Sequence, residues 1–326
     1  MKHESFWARL LLSEYFVLLL SIGYFLILWP VTPGLVSGEN LRNISSSMLP
    51  LLLVAIGQTF VLISGGIDLS VTSIVALSSV VGAIVMNADN GLLASSSLAA
   101  PAGVLAMLLV GMLLGLLNGA AVTRFHMPPF IVTLAVMMFF SGFSVWLTKS
   151  QNIRNLPDEF NAIGKGTWLF VPNALLVAAG VAVVAHIVLS WTLFGRWLYA
   201  TGSNLKASIV SGVPVRQTIL LAYVVSGVCA AIASILYTGR LETGSPVLGQ
   251  RIFLDVIAAA VIGGNSLFGG KGKIAWTLFG VLFVTLLDNT LNLLGLSNFM
   301  ILLVKGVVIL FAALLDTVRN RVLAAS

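Results

Sequence analysis

Residues 48–71 read MLPLLLVAIGQTFVLISGGIDLSV. From Met48 to Ser64 the run is apolar for about the shortest length, roughly 17 residues, that crosses a bilayer as a helix. Gly65-Gly66 then permits a tight turn, and a second apolar run opens at Leu69. Asp68 stands where a helix N-cap would go, able to accept backbone N–H bonds and to meet the positive end of the helix. Its main role on this reading is structural, with a gating or substrate role secondary. Two apolar runs joined by a short break imply lipid-embedded helices, because unpaired backbone groups in hydrocarbon are prohibitive.

The pattern repeats outward along the chain. Apolar runs lie at 11–29, 48–64, 69–86, 98–122, 130–147, 171–193, 217–237, 252–262, 274–294 and 298–316, about ten candidate spans by the 20-residue ruler. Most breaks fall at Pro or Gly clusters, among them Pro128-Pro129 and Gly269-Gly270. The run at 252–262 is too short to span alone, and is expected to be re-entrant or to extend back toward Pro246. Internal duplication, common in transporters, is weak here: the candidate alignments of the two halves disagree in offset.

Composition agrees. Of 326 residues 59% are hydrophobic and 9% charged, with a mean hydropathy of +1.06, whereas a soluble domain carries roughly 25% charged residues. So little charge cannot cover a globular surface, and no segment is polar enough to form a soluble domain. Residues 1–326 therefore read as a single all-α membrane domain. The net charge of +6 does not indicate a nucleic-acid partner, since Lys and Arg are scattered singly among apolar runs. They serve instead as topology signals. With the N-terminus inside, ten lie on the cytoplasmic side (Lys2, Arg9, Arg124, Arg196, Lys206, Arg216, Lys271, Lys273, Arg319 and Arg321) and six outside (Arg42, Lys149, Arg154, Lys165, Arg240 and Arg251). Both termini are expected in the cytoplasm. No small-residue cleavage site follows the first apolar run, so it reads as a retained span.

Catalytic and cofactor chemistry finds no support. There is no His-Glu-x-x-His zinc site and no Gly-x-Ser-x-Gly elbow. His3, His126 and His186 are dispersed, and the lone Cys229 excludes a disulfide framework or a cysteine metal cluster. The glycine-rich stretch from Gly263 to Lys273 resembles a phosphate loop but misses its register, and Lys273 is followed by Ile274 rather than a hydroxyl. No catalytic residue, metal ligand or cofactor site is expected, and ATP is not held by that means.

Polar residues inside apolar runs carry more information. An aspartate at a helix centre costs about 2.5–3.5 kcal/mol, so it faces a bundle interior or a wet cavity. Asp255 and Asp288 are so placed, and Asn118, Asn289 and Asn292 add amides at comparable positions. Sparse amides, hydroxyls and carboxylates suit a pathway that replaces water on the hydroxyls of a solute. Asn118, Phe130, Thr133, Asp255, Asn265, Asp288 and Asn292 are the candidate pathway residues. Interhelical hydrogen bonding accounts for any one of them at least as well.

Residues 194–216 are the longest polar insertion assigned to the inner side. Gly195-Arg196 is expected to close one span, and Asn204 to Val213 to form a short helix stopped by Gly212 and Pro214. Such a positively charged surface helix suits docking to a cytoplasmic partner; an ordinary connecting loop explains it as well.

The segment Gly57-Gln58-Thr59-Phe60-Val61-Leu62-Ile63-Ser64-Gly65-Gly66-Ile67-Asp68-Leu69-Ser70-Val71 resembles the signature of the permease subunits of ribose-type sugar ABC importers. Three further stretches agree in order and spacing: 128–134 (PPFIVTL), 195–213 and 260–272. Together they cover about residues 45 to 310. The resemblance implies a permease dimer, homo- or heterodimeric, in a bacterial inner membrane, working with cytoplasmic ATP-binding subunits and a periplasmic solute-binding protein. It also implies that Arg196, Asn204, Lys206, Ser208, Gly212 and Val213 form a segment that contacts the ATPase. One departure is Thr72, where many relatives place Gly. The family spans many sugars, and distant relatives carry nucleosides or branched-chain amino acids. The rival reading is a secondary transporter or facilitator using Asp255 or Asp288 as an ion site.

Overall fold

The computed structural model describes residues 15–94, 96–250 and 252–325. Lys2, Arg9 and Arg251, the first residues of the 11–29 run and the side chains of Arg319 and Arg321 lie outside that description. Thirteen helices follow in order among the described residues: α1 (Phe16–Leu28), α2 (Gly38–Ile63), α3 (Val71–Met86), α4 (Ala99–Arg124), α5 (Pro129–Leu147), α6 (Asp158–Lys165), α7 (Asn173–Trp191), α8 (Leu193–Ser203), α9 (Leu205–Val210), α10 (Val215–Leu241), α11 (Ile252–Gly263), α12 (Ile274–Leu293) and α13 (Asn298–Ala325). Six of them, α2, α4, α5, α7, α10 and α12, are long and apolar enough to cross a membrane; α1, α3, α11 and the Asn298–Phe311 part of α13 are shorter apolar helices. The protein is a multi-pass, mostly helical membrane protein. Its one sheet among the described residues is a hairpin of two-residue strands, β1 (Thr167–Trp168) and β2 (Val171–Pro172), just before α7.

Helix α2 is the axis of the bundle. Every residue from Leu49 to Ile63 is buried, as expected for a helix hydrophobic all round, and α10, α12, α11 and α7 pack about it. The tightest contact joins α4 to α10. Gly111, Gly115 and Gly119 recur every fourth residue on one stripe of α4, and a Cβ added to them would meet Gly227 O at 2.3 Å, Tyr223 O at 2.4 Å and Leu220 Cα at 2.8 Å. Small residues at that spacing let two membrane helices approach backbone to backbone. The opposite face of α4, with Leu105, Leu109, Leu113 and Leu116, is exposed, which suits lipid.

Three local expectations need correction. The segment at 252–262 does not extend back toward Pro246: residues 246–250 form turns, with Gly249 at φ +84°, and α11 has 12 residues. At 1.5 Å per residue it reaches about 18 Å, short of the hydrocarbon thickness. Gly195-Arg196 does not end a span. The backbone breaks earlier, at Thr192, whose hydroxyl accepts the Gly195 N–H, and Gly195-Arg196 lie in the first turns of α8. The short helix expected from Asn204 to Val213 is α9, confined to Leu205–Val210 because Asn204 caps it by accepting the Ala207 N–H.

Candidate transport site

The α2–α3 break is built by sequence-local chemistry and then buried. Gly65 takes φ +85°, a conformation that glycine reaches without steric cost. Asp68 is fully buried. It is not the N-cap of α3, a position held by Ser70; instead its carboxylate organises the turn. Oδ1 accepts the Ser70 N–H at 2.9 Å and the Ser70 hydroxyl at 2.6 Å, and Oδ2 accepts the Ser226 hydroxyl of α10 at 2.8 Å. Asn118 of α4 donates to Ser70 Oγ at 2.7 Å, and the Thr133 hydroxyl of α5 lies 3.2 Å from Ile67 O. With its amide turned so that each end meets a complementary group, Gln58 bridges the Asp68 backbone, Nε2 donating to Asp68 O at 3.1 Å and Oε1 accepting the Asp68 N–H at 3.3 Å. Four helices, α2, α4, α5 and α10, thus hydrogen-bond to this one turn at the head of α3. Three donors face the carboxyl oxygens of Asp68, so this buried polar group is satisfied. Asn118 Oδ1 and the Tyr223 hydroxyl beside Gly66 have no hydrogen-bond partner among the described residues.

The same break meets the polar insertion. Gly202, near the end of α8, lies so close to α2 that a Cβ on it would stand 1.8 Å from Ile63 O. The Gly270 N–H donates to that carbonyl at 2.9 Å, and Tyr199 of α8 donates to Gly272 O at 2.7 Å. The loop 264–273 is itself pinned by Asn265, which donates to Ala260 O and Thr277 Oγ1 and accepts the Lys273 N–H; Thr277 in turn pairs with Thr59 of α2 at 2.6 Å. Beyond Gly202, α9 projects outward. Ser208 is its buried residue, Lys206 and Ile209 are exposed, and Val210 is 90% exposed. Gly212, at φ +77°, and Val213 close the helix, with Val213 N–H donating to Ser208 O at 3.0 Å. Arg196 is exposed on α8. The polar insertion is therefore two capped helices with an apolar and basic outer face, wedged on the α2–α3 break.

A third polar group lies apart, where α13 packs on α11 and α12. Lys305 bridges Asp255 at 2.9 Å and Asp288 at 2.6 Å. Nearby, Asn289 and Asn40 exchange two amide hydrogen bonds, joining α12 to the start of α2. The candidate pathway residues are thus divided. Asn118 and Thr133 gather at the Asp68 turn, Asp255 and Asp288 at Lys305, and Asn265 in the 264–273 loop. Phe130 is exposed in the first turn of α5, and Asn292 is exposed, bonded to Asp288 O one turn back.

The amino-acid sequence that builds this arrangement matches a known lineage. A family described as the permease component of branched-chain amino acid transport systems matches residues 40–313. The chain belongs to this permease family. The permease is 39% identical over 309 residues to the ribose import permease protein RbsC of Bacillus subtilis, covering 92% of each chain. It is 35% identical to RbsC of Escherichia coli K12, covering 89% of each, and 31% identical to the L-arabinose transport system permease protein AraH of the same organism, over 89% of this chain and 86% of that one. No solved structure matches. The permease is a ribose-type ABC permease, a transport component rather than an enzyme, and its family implies ATP-binding and solute-binding partners.

Several residues of these polar groups escape a linear reading of the permease. Ser226, Gln58, Thr59 and Thr277 are ordinary hydroxyls and amides in apolar runs, and only the packing reveals their partners. Two signals were available. Gly-x-x-x-Gly-x-x-x-Gly at Gly111, Gly115 and Gly119 is a helix-contact pattern. Lys305 alone in a span calls for an opposite charge.

Proposed function

We propose that this chain is the membrane-spanning subunit of an ATP-driven importer that admits a monosaccharide across a bacterial inner membrane. It works as one half of a permease dimer, with about ten spans and both termini in the cytoplasm. The observation that carries this reading is the match along nine-tenths of the chain to permeases named for ribose and arabinose. The branched-chain amino acids in the family description carry less weight, because that label covers a broad family while the individual relatives are named for sugars.

On this reading the α8–α9 pair, with Arg196, Asn204, Lys206, Ser208, Gly212 and Val213, seats the ATP-binding subunit. Its movement is passed through Gly202 to Ile63 and the Asp68 turn, so that ATP-driven closure reorients α2 and α3. Asn118 and Thr133, hydrogen-bonded to that turn, then change position with it. Lys305 already pairs with both Asp255 and Asp288, so the structure favours an electrostatic brace there over an unpaired ion site.

The test is uptake by proteoliposomes holding the chain, its ATPase and its binding protein, with D-ribose, L-arabinose and L-leucine as probes. Sugar accumulation that requires ATP and all three components is expected. Accumulation by the chain alone, or of leucine only, overturns the reading.

A further inference from the structure

Helix α10 has 27 residues, a length of about 40 Å, and it separates two ends of the molecule. Val215 begins it beside the α8–α9 pair. Leu241 ends it at a cavity of about 550 Å³ walled by the α5–α6 loop, α6 and residues 241–243. We propose that this cavity is a binding site for a neutral polyhydroxylated solute at the face of the permease opposite the ATPase.

Its lining is polar: Asn152, Arg154, Asp158, Asn161, Glu242 and Thr243 contribute, with little apolar wall. Asn161 is 3% exposed, donates through Nδ2 to Leu156 O at 3.1 Å, and leaves Oδ1 without a hydrogen-bond partner among the described residues. A buried acceptor left unpaired is costly, so a donor from a ligand would be favoured there. Among the described residues the side chains of Asn152, Arg154 and Asp158 also make no hydrogen bond or ion pair, which leaves both donors and acceptors at the opening.

The wall is fixed by other contacts. Ile153 and Gly244 exchange backbone hydrogen bonds at 2.9 and 2.8 Å, Asn155 donates to Asp89 at 2.7 Å, and Lys165 is paired with Glu242. Arg154 and Lys165 balance Asp158 and Glu242, so the site has no strong preference for an ion of either sign. Hydroxyl groups, each donor and acceptor at once, match this lining. The volume lies within the range of about 300–1,000 Å³ common to small-molecule sites, leaving room for water around a single sugar ring.

The choice of sugars as probes and the naming of this face as the one opposite the ATPase rest on the import reading; the cavity and its lining do not. The experiment is saturation-transfer NMR on the permease–ATPase complex in nanodiscs, without binding protein, using D-ribose, L-arabinose, D-xylose and D-galactose at millimolar concentration. At least one sugar should receive saturation. Asn152→Ala and Asp158→Ala, both at exposed positions, should each weaken its apparent affinity about fivefold, the loss of one hydrogen bond. Asn161→Ala should do the same, and the exposed pair keeps the test valid if that buried variant fails to fold. No transfer to any of the four sugars, or transfer unmoved by the exposed variants, overturns the site. ATP-driven uptake measured in the same preparation keeps the two ideas apart: uptake without transfer removes the site and leaves the importer, and transfer without uptake does the reverse.

Discussion

The α-carbon of Gly202 abuts the carbonyl oxygen of Ile63 with no room for a side chain: a Cβ there would lie 1.8 Å from that oxygen. Ile63 is the last residue of α2 and Gly202 the penultimate residue of α8. The same oxygen accepts the Gly270 N–H. One carbonyl thus joins the buried central helix, the exposed helix pair and the 264–273 loop.

Gly202→Ala tests whether that joint transmits force. The new methyl must push α8 off α2, an overpacking cost of about 1–3 kcal/mol. ATP-driven uptake should fall by at least tenfold while the ATPase still hydrolyses ATP. Equal loss of both activities, or loss of neither, would mean the joint only holds the fold.

Charge reversal addresses the outer face of the same pair. Arg196→Glu and Lys206→Glu alter exposed side chains without burying charge, so thermal stability should change by less than about 0.5 kcal/mol. Co-purification of the ATP-binding subunit should nevertheless weaken, more so in the double variant. Unaltered co-purification of the double variant would remove α8–α9 as the seat.

Lys305→Met leaves Asp255 and Asp288 facing each other without their cation. Removing one partner of a buried ion pair costs about 3–5 kcal/mol, and the half-exposed Asp288 argues for the lower end. The melting temperature should drop clearly. The triple variant Lys305→Met, Asp255→Leu, Asp288→Leu should recover most of that loss and keep ATP-driven uptake. Loss of uptake in a stable triple variant would instead point to an ion-coupling role.

Gly111→Val and Gly115→Val should be among the most damaging changes in the molecule, because each drives a branched side chain into the backbone of α10 at 2.3–2.4 Å. Leu113→Val, two residues away on the exposed face, should alter the melting temperature little. A comparable response from both faces of α4 would contradict the packing described.

Hydropathy is a local property, and for that reason each of the ten apolar runs holds a helix among the described residues. The permease resemblance was equally legible, since it rests on short contiguous segments whose order survives translation into three dimensions. Boundaries were read less well. Thr192 ends α7 because its hydroxyl caps the next helix, within a residue of where the apolar run 171–193 stops, while the Gly195-Arg196 pair proves to lie inside α8, and residues 246–250 turn away from a helix with Gly249 at φ +84°.

The destinations of the polar side chains belong to the tertiary structure. Asp68 reads as a local cap, yet one of its oxygens bonds Ser226, 158 positions away. Asp255 and Asp288 both read as pathway carboxylates, yet Lys305 of α13 holds them together. By itself the sequence determined that the chain lives in lipid, where it breaks and which family it belongs to, because burial in hydrocarbon demands long apolar helices and leaves their pattern on the chain. Only the packed bundle decided which few hydrogen-bonding groups meet, since in an apolar surrounding each must find a partner and the nearest one is set by how helices cross, not by how far apart residues lie in the chain.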